Sequence, residues 1–331
     1  MNTYKKLVIF AAILAFFVVV LGAYVRLSDA GLGCPDWPGC YGHIGAPQTA
    51  AQQARAIEAF PDKPIEVHKA WKEMIHRYAA GTLGLLVLAI AIMAWKRRAQ
   101  AGAAPVLATF LLLLIIFQAL LGMWTVTLLL KPVIVTTHLI GGMATLTLLV
   151  LLALRTTQRE AAGAIGSLRA PALLALAVVA IQIILGGWVS SNYAALACTD
   201  FPTCNGAWKP TMDFAGAFHL TRELGMAADG GLLNHESLVT IHWVHRVGAL
   251  VTFLVVGLVA LLAIRRVPLR GIGLAILLLL LIQIALGISN VLLSLPLPVA
   301  VAHNGVAALL LIALVVLNFR VGRARRGPSF A

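Results

Sequence analysis

The sequence predicts an all-α integral membrane protein, with eight transmembrane helices built as two pseudo-symmetric four-helix bundles. Three observations predict it. Of the 331 residues, 61% are hydrophobic and only 11% charged, against roughly half and a quarter in soluble domains. Eight apolar runs reach the ~20 residues that span a bilayer. The second half of the chain repeats the motifs of the first.

The eight runs are 7–26, 71–95, 103–127, 134–154, 171–192, 237–264, 270–292 and 298–319. The first follows Lys5 and Lys6 like a secretion signal, but Tyr24-Val25-Arg26 offers no small-residue cleavage site, so it is expected to stay as a helix. The net charge of +13 raises nucleic acid as a partner. The placement of the charge points elsewhere. Lys5, Lys6, Lys96, Arg97, Arg98, Arg155, Arg159, Arg169, Arg265, Arg266, Arg270, Arg320, Arg323, Arg325 and Arg326 all fall in the termini and in short loops of one side. Cytoplasmic loops of membrane proteins carry such an excess. Both termini are therefore expected in the cytoplasm, with the basic side against anionic membrane lipid and no nucleic acid bound.

Two long loops, 27–70 and 193–236, lie on the other side. In the first, Thr49-x-x-Gln52 is a capping-box pattern opening a short helix that Pro61 ends. In the second, a similar helix is expected from Asp213 to Leu224. Both are candidate lids at the membrane surface. Each loop begins with a cysteine pair, Cys34/Cys40 and Cys198/Cys204. Outside the cytoplasm such pairs are usually oxidised. A disulfide pinning each loop is the plain reading, and a redox-active one the sharper alternative.

The repeat aligns Leu21-Gly22-Ala23-Tyr24-Val25 through Cys40 and Gly42 on Leu185-Gly186-Gly187-Trp188-Val189 through Cys204 and Gly206. It also matches Gln118–Gly122 with Gln283–Gly287. The units are 1–155 and 171–331, joined by a cytoplasmic linker, 156–170. Parallel repeats of this kind are related by an axis along the membrane normal.

His76, His138, His245 and His303 open the second, fourth, sixth and eighth helices at matching places in the repeat. A lone histidine in a membrane helix is often just hydrogen-bonded to a neighbour, a reading that fits four matched ones poorly. Histidines on facing helices of a bundle can hold an iron between them. No carboxylate or cysteine accompanies His245 and His303 in the apolar runs, which disfavours zinc or di-iron and favours bis-imidazole haem. Gly81, Gly84, Gly141, Gly142, Gly248 and Gly305 lie within about two turns and would admit a flat macrocycle, although tight helix packing explains them too. Arg77 and Arg246, each following a histidine, are expected to meet haem propionates or to act as interfacial anchors. The chemistry carriers differ between the halves at Glu73, which becomes His242. A carboxylate one turn from a ligand histidine suits general-base work or stabilisation of positive charge.

Together these residues resemble the haem A synthase family, over essentially the whole chain. That family has eight helices in two halves, a Glu-x-x-His-Arg motif on the second helix, matched by Glu73, His76 and Arg77, and later histidines matched by His138, His245 and His303. Its bacterial branch also carries cysteine pairs in both outer loops. The pattern supplies no role for His242. The resemblance implies oxidation of the haem O methyl group to a formyl, through an alcohol, giving haem A for terminal oxidases. It implies substrate haem between His76 and His138, with Glu73 as the catalytic residue, and a cofactor haem b between His245 and His303. It also implies a bacterial cytoplasmic membrane and haem O synthase as upstream partner. The electron-transfer partner and any homo-oligomer stay open. Two other classes fit parts of the pattern. A di-haem b cytochrome exchanging electrons with quinone needs equivalent halves, and a thiol oxidoreductase leaves the histidines unexplained.

Overall fold

A computed structural model describes residues 3–100, 102–157, 166–227 and 230–323. The helices are α1 (Thr3–Leu27), α2 (Ala50–Ala59), α3 (Val67–Lys96), α4 (Pro105–Thr127), α5 (Pro132–Thr157), α6 (Arg169–Ser191), α7 (Phe214–Ala217), α8 (His235–Ile264), α9 (Arg270–Leu292) and α10 (Leu297–Arg323). Eight of them are long and apolar enough to cross a membrane. They coincide with the eight runs expected from sequence. Helices are required because hydrocarbon offers the backbone no hydrogen-bond partner. Most of the expected linker, 156–170, with Arg159, and also Arg325 and Arg326, lies outside the described residues.

Within the first half α1 packs on α3 and α5, and α4 completes the set against α3 and α5. In the second half α6 packs on α8 and α10, and α9 closes against both. The halves meet along α1–α10, α5–α6 and α5–α10. The two turns opposite the basic loops are built alike. Leu129 and Leu130 adopt positive φ (48° and 59°), as do Ser294 and Leu295 (56° and 61°). The Leu130 N–H reaches back to the Thr125 carbonyl (2.8 Å) and the Leu295 N–H to that of Asn290 (2.7 Å), closing the exposed helix ends.

The bundle is solid at one end and hollow at the other. At the basic end, Tyr4 Oη donates to the Ala103 carbonyl (2.7 Å), and Asn318 Nδ2 donates to that of Ala172 (2.9 Å). Here small and branched residues, among them Val8, Ala11, Ile90, Leu146, Ala172 and Leu314, form one continuous buried core. Large apolar side chains such as Phe10, Phe17, Leu85 and Phe110 point outward, as a lipid solvent permits. The other end carries both long loops. At about 1.5 Å per residue, the 30 residues of α3 and of α8 extend about 45 Å, beyond a hydrocarbon core of about 30 Å. Their first turns therefore rise to the level of the loops.

The surface helix expected after Thr49 is α2, with both arms of the capping box formed. It folds onto the first disulfide loop. Its buried Ala56 joins Cys34, Cys40, Tyr41 and Met74 in one apolar cluster, and Phe60 meets Tyr41 edge to face. The helix expected from Asp213 to Leu224 is corrected to the single turn α7. Asp213 caps it through the Gly216 N–H. The Ala217 carbonyl, which a longer helix would use, instead accepts from Trp188 Nε1 (2.9 Å) and from Arg222 (3.5 Å). Arg222, itself buried, reaches on to Asn192 Oδ1 (2.6 Å).

Thr49→Ala removes the side-chain acceptor of the α2 cap. It should destabilise that helix by about 1 kcal/mol, read as faster amide exchange across 50–59 with the spanning helices unchanged.

Candidate functional site

The hollow end encloses a cavity of about 1940 Å³ that runs between the halves. A drug-sized pocket measures roughly 300–1,000 Å³, so this space admits more than one large apolar ligand. His76, His138, His245 and His303 all line it, with Glu73, His242, Arg77 and Arg246 at its loop side. At the seam Arg26, from the end of α1, crosses to the second half. It donates to Tyr193 Oη (2.7 Å) and to the Ser190 carbonyl (2.9 Å), and its guanidinium lies over the Tyr193 ring.

Each histidine ring is seated on a glycine of a neighbouring helix. A Cβ at Gly22 would stand 2.9 Å from His76 Cε1, and one at Gly186 would stand 3.1 Å from His245 Cε1. At Gly122 the distance to His138 Cε1 would be 3.5 Å, and at Gly287 to His303 Cε1 it would be 3.1 Å. These seats belong to the repeated Leu-Gly pairs, a signal present in the sequence but not connected there to the histidines. The glycines singled out from sequence do other work. Gly81 and Gly84 line the cavity and face open space; Gly142 and Gly305 meet Val19 and Val20 of α1. Gly141 makes room for Gln118, and Gly248 for Gln182.

The cysteine pairs form disulfides, Cys34–Cys40 and Cys198–Cys204, with Cα atoms 4.8 and 4.7 Å apart. Each closes a tight loop of one design. Asp36 accepts the N–H groups of Tyr41 (2.6 Å) and Gly42 (2.9 Å). Asp200 likewise accepts from Gly206 (3.0 Å) and Asn205. Tyr41 and Asn205 hold positive φ, 52° and 53°, a conformation that few side chains tolerate.

Arginines tie these loops down. Arg77 Nη1 donates to the carbonyls of Asp36 (3.0 Å), Pro38 (3.2 Å) and Gly39, and Nη2 donates to Glu73 Oε1. Arg246 donates to the carbonyls of Asp200 (2.8 Å), Thr203 (2.7 Å) and Cys198 (3.2 Å). The two guanidinium groups, expected from sequence at propionates or as interfacial anchors, clasp the disulfide loops. A planar fork with five donors suits that task.

Glu73 and His242 occupy equivalent places in these clasps. Glu73, 5% exposed, accepts the Cys34 N–H on Oε2 (2.9 Å) and Arg77 on Oε1. His242, also 5% exposed, is approached by the Cys198 N–H at Nδ1 (3.4 Å) and by Arg246 Nε at Nε2 (3.2 Å). A neutral imidazole has one acceptor nitrogen, whereas a carboxylate has four lone-pair positions. Only the shorter His242 contact is thus a full hydrogen bond. The role of His242, unassigned from sequence, is to complete the second clasp without bringing a negative charge.

The family model described as cytochrome oxidase assembly protein, COX15-CtaA, matches residues 5–315. The chain is similar to a heme A synthase of Shewanella oneidensis, 47% identical over 310 residues that cover 93% of each chain. It is also similar to the heme A synthase of Halalkalibacterium halodurans, 30% identical over 73% of this chain and 78% of that one. That of Rhizorhabdus wittichii is 29% identical over 95% and 92%.

Arg77→Ala opens the first clasp and leaves a buried carboxylate unpaired, which costs about 3–5 kcal/mol. Reduction of Cys34–Cys40, followed by thiol labelling, should accelerate at least tenfold, with Cys198–Cys204 unaffected. In the second loop the Thr203 hydroxyl and the Gly206 N–H hold the Asp200 carboxyl below its ordinary value. A depressed carboxyl stabilises the fold above its unfolded pKa, about 3.9, and that contribution fades as pH falls through the lower folded value. Reduction of Cys198–Cys204 should therefore show no acid-induced acceleration from pH 7 to 5 and should speed up only below about pH 4.

Proposed function

The chain belongs to the COX15-CtaA family of cytochrome oxidase assembly proteins, and we propose that it is a haem A synthase, converting the methyl group of haem O to the formyl group of haem A. The observation that carries this reading is one apolar cavity lined by four matched histidines, with an acid beside only one pair. In this reading the first half, residues 1–155, takes the substrate haem through His76 and His138. The second half, residues 171–331, holds a haem b through His245 and His303.

The residues fit such groups. His76 Nδ1 is buried without a partner, which a ring free to turn toward a ligand explains. The glycine seats bring each imidazole flush with a neighbouring helix, and Gly81 and Gly84 leave flat apolar space. The volume accommodates two macrocycles between the halves.

The chain's own part in the reaction is positioning and charge. Imidazoles on facing helices fix the substrate's iron and so its rotation in the pocket. Glu73 lies one helical turn from His76. Its carboxylate, oriented by Arg77 and the Cys34 N–H, keeps lone pairs free to take a proton from the substrate or to offset positive charge there. The apolar walls exclude water, which strengthens both effects. A bound haem b supplies an electron route out of the pocket. The disulfides serve as anchors for the clasps.

The basic end is assigned to the cytoplasm, with both termini there, in a bacterial cytoplasmic membrane. The cavity then opens toward the opposite face. Haem O synthase is the upstream partner, since its product is this substrate.

Glu73→Ala should leave both haems bound and abolish conversion. Pigments extracted from purified protein then contain haem O and haem b but no haem A, whereas the unaltered protein yields haem A. A variant that still makes haem A at a normal rate removes Glu73 from catalysis. Haem b alone in the unaltered protein makes it an electron carrier instead.

A further inference from the structure

Haem O carries a long isoprenoid chain where haem b carries a vinyl group, on the edge of the macrocycle away from its carboxylates. A half that takes haem O has to house that chain, and the walls of the two halves differ at matched places. On α3, Gly81 and Gly84 line the cavity, and a Cβ at either would meet nothing within 4 Å. On α4, Ala119 lines it too. Counted from His76 and His245, the repeat matches these glycines with Leu250 and Phe253 of α8. Counted from Gln118 and Gln283, it matches Ala119 with Ile284 of α9. All three larger residues line the cavity in the second half. The first half is not roomier throughout: Val135 of α5 matches the smaller Ala300 of α10, and both are wall residues. The extra space is gathered on one side, between α3 and α4.

This space has the place and the shape of a slot for an apolar chain. Glycine inside a helix is less stable than alanine. Gly22, Gly122 and Gly186 each make room for a histidine of this chain, whereas Gly81 and Gly84 make room for no described residue. The space also opens sideways, since Leu85 on α3 and Ile116 on α4 line the cavity and are themselves exposed. Gly81 and Gly84 lie about 8 and 12 Å beyond His76 along the helix, toward the basic end. The slot therefore runs from the level of the histidines into the middle of the bilayer, away from the polar loops. A haem seated with its carboxylates toward the loops points its opposite edge into this slot.

We infer, on the two-site reading above, that Gly81, Gly84 and Ala119 receive the isoprenoid chain of the substrate, and that Leu250, Phe253 and Ile284 exclude that chain from the second half. These six residues determine which haem each half accepts. In the second half the larger side chains clash with the chain and leave room for a tailless haem. In the first half, burial of the chain between two apolar helices favours haem O over haem b.

The test exchanges the walls in the full-length protein. G81L/G84F/A119I gives the first half the residues of the second, and L250G/F253G/I284A does the reverse. Each purified variant is titrated with haem O and, separately, with haem b, and the bound pigments are extracted and counted by chromatography. G81L/G84F/A119I should weaken haem O binding at least tenfold, keep the resident haem b, and change the uptake of further haem b by less than threefold. The tailless haem thus reports that the altered half is still folded. L250G/F253G/I284A should bind haem O in both halves, doubling the haem O held per chain, which keeps the question answerable if the first variant does not fold. Unweakened haem O binding in G81L/G84F/A119I, or equal weakening of both haems with the resident haem b retained, would overturn the proposal. So would haem O confined to one half in L250G/F253G/I284A. An unchanged haem preference with a smaller particle or with lost lipid would give the slot to a second copy of the chain or to a bilayer lipid, and would overturn it too. If the unaltered protein holds haem b alone and binds haem O no more tightly than haem b, the synthase reading itself falls. If the unaltered protein prefers haem O and G81L/G84F/A119I keeps that preference, only the slot falls.

Discussion

A guanidinium group at the rim of a hydrocarbon phase must be surrounded by acceptors, and the rest of this site depends on how Arg77 and Arg246 meet that demand. Water is scarce there and an unpaired charge is expensive. Each arginine takes its acceptors from the carbonyls of a disulfide-closed loop and from one side chain a turn earlier on its own helix. The loops are thereby fixed over the cavity. Glu73 is fixed by the same bonds, with its two oxygens on Arg77 and the Cys34 N–H. Disulfide, arginine and acid therefore act as one mechanical unit in the first half. The second half repeats it with an imidazole in place of the carboxylate.

The contrast between the ends of the bundle follows from side-chain size. Alanines and branched residues interlock through the basic half, where Ala11, Ala91, Ala172 and Ala260 let helices approach closely. Toward the loops, glycines replace them under the histidines, and the helices separate around open space. Both regions are apolar. What distinguishes them is volume, which hydropathy does not report.

That explains what could be read in advance. The eight spans, the capped α2 and the cysteine pairs were legible because each depends on local sequence: apolar length, a Thr-x-x-Gln pattern, a short spacing. The histidines were legible because the repeat marked them. The destinations of Arg77 and Arg246 were not, since adjacency to a histidine says nothing about which way a long side chain turns. The seats Gly22, Gly122, Gly186 and Gly287 were visible as repeated residues but act across helix–helix contacts that only packing creates. The contrast of Gly81, Gly84 and Ala119 with Leu250, Phe253 and Ile284 was hidden for the opposite reason: it interrupts the repeat, so matching the halves passed over it. The helix expected after Asp213 stopped short because Trp188, distant in sequence, and the Arg222 side chain take the Ala217 carbonyl.

The solid half of the bundle also bears on traffic. A molecule as broad as a porphyrin cannot pass through interlocked alanines without prying the helices apart. Whatever hands over a ligand to this cavity, or collects one from it, has to do so at the leaflet on the disulfide side, through the mouth or sideways between helices. The cavity is thereby closed toward the basic end, a blind recess rather than a channel.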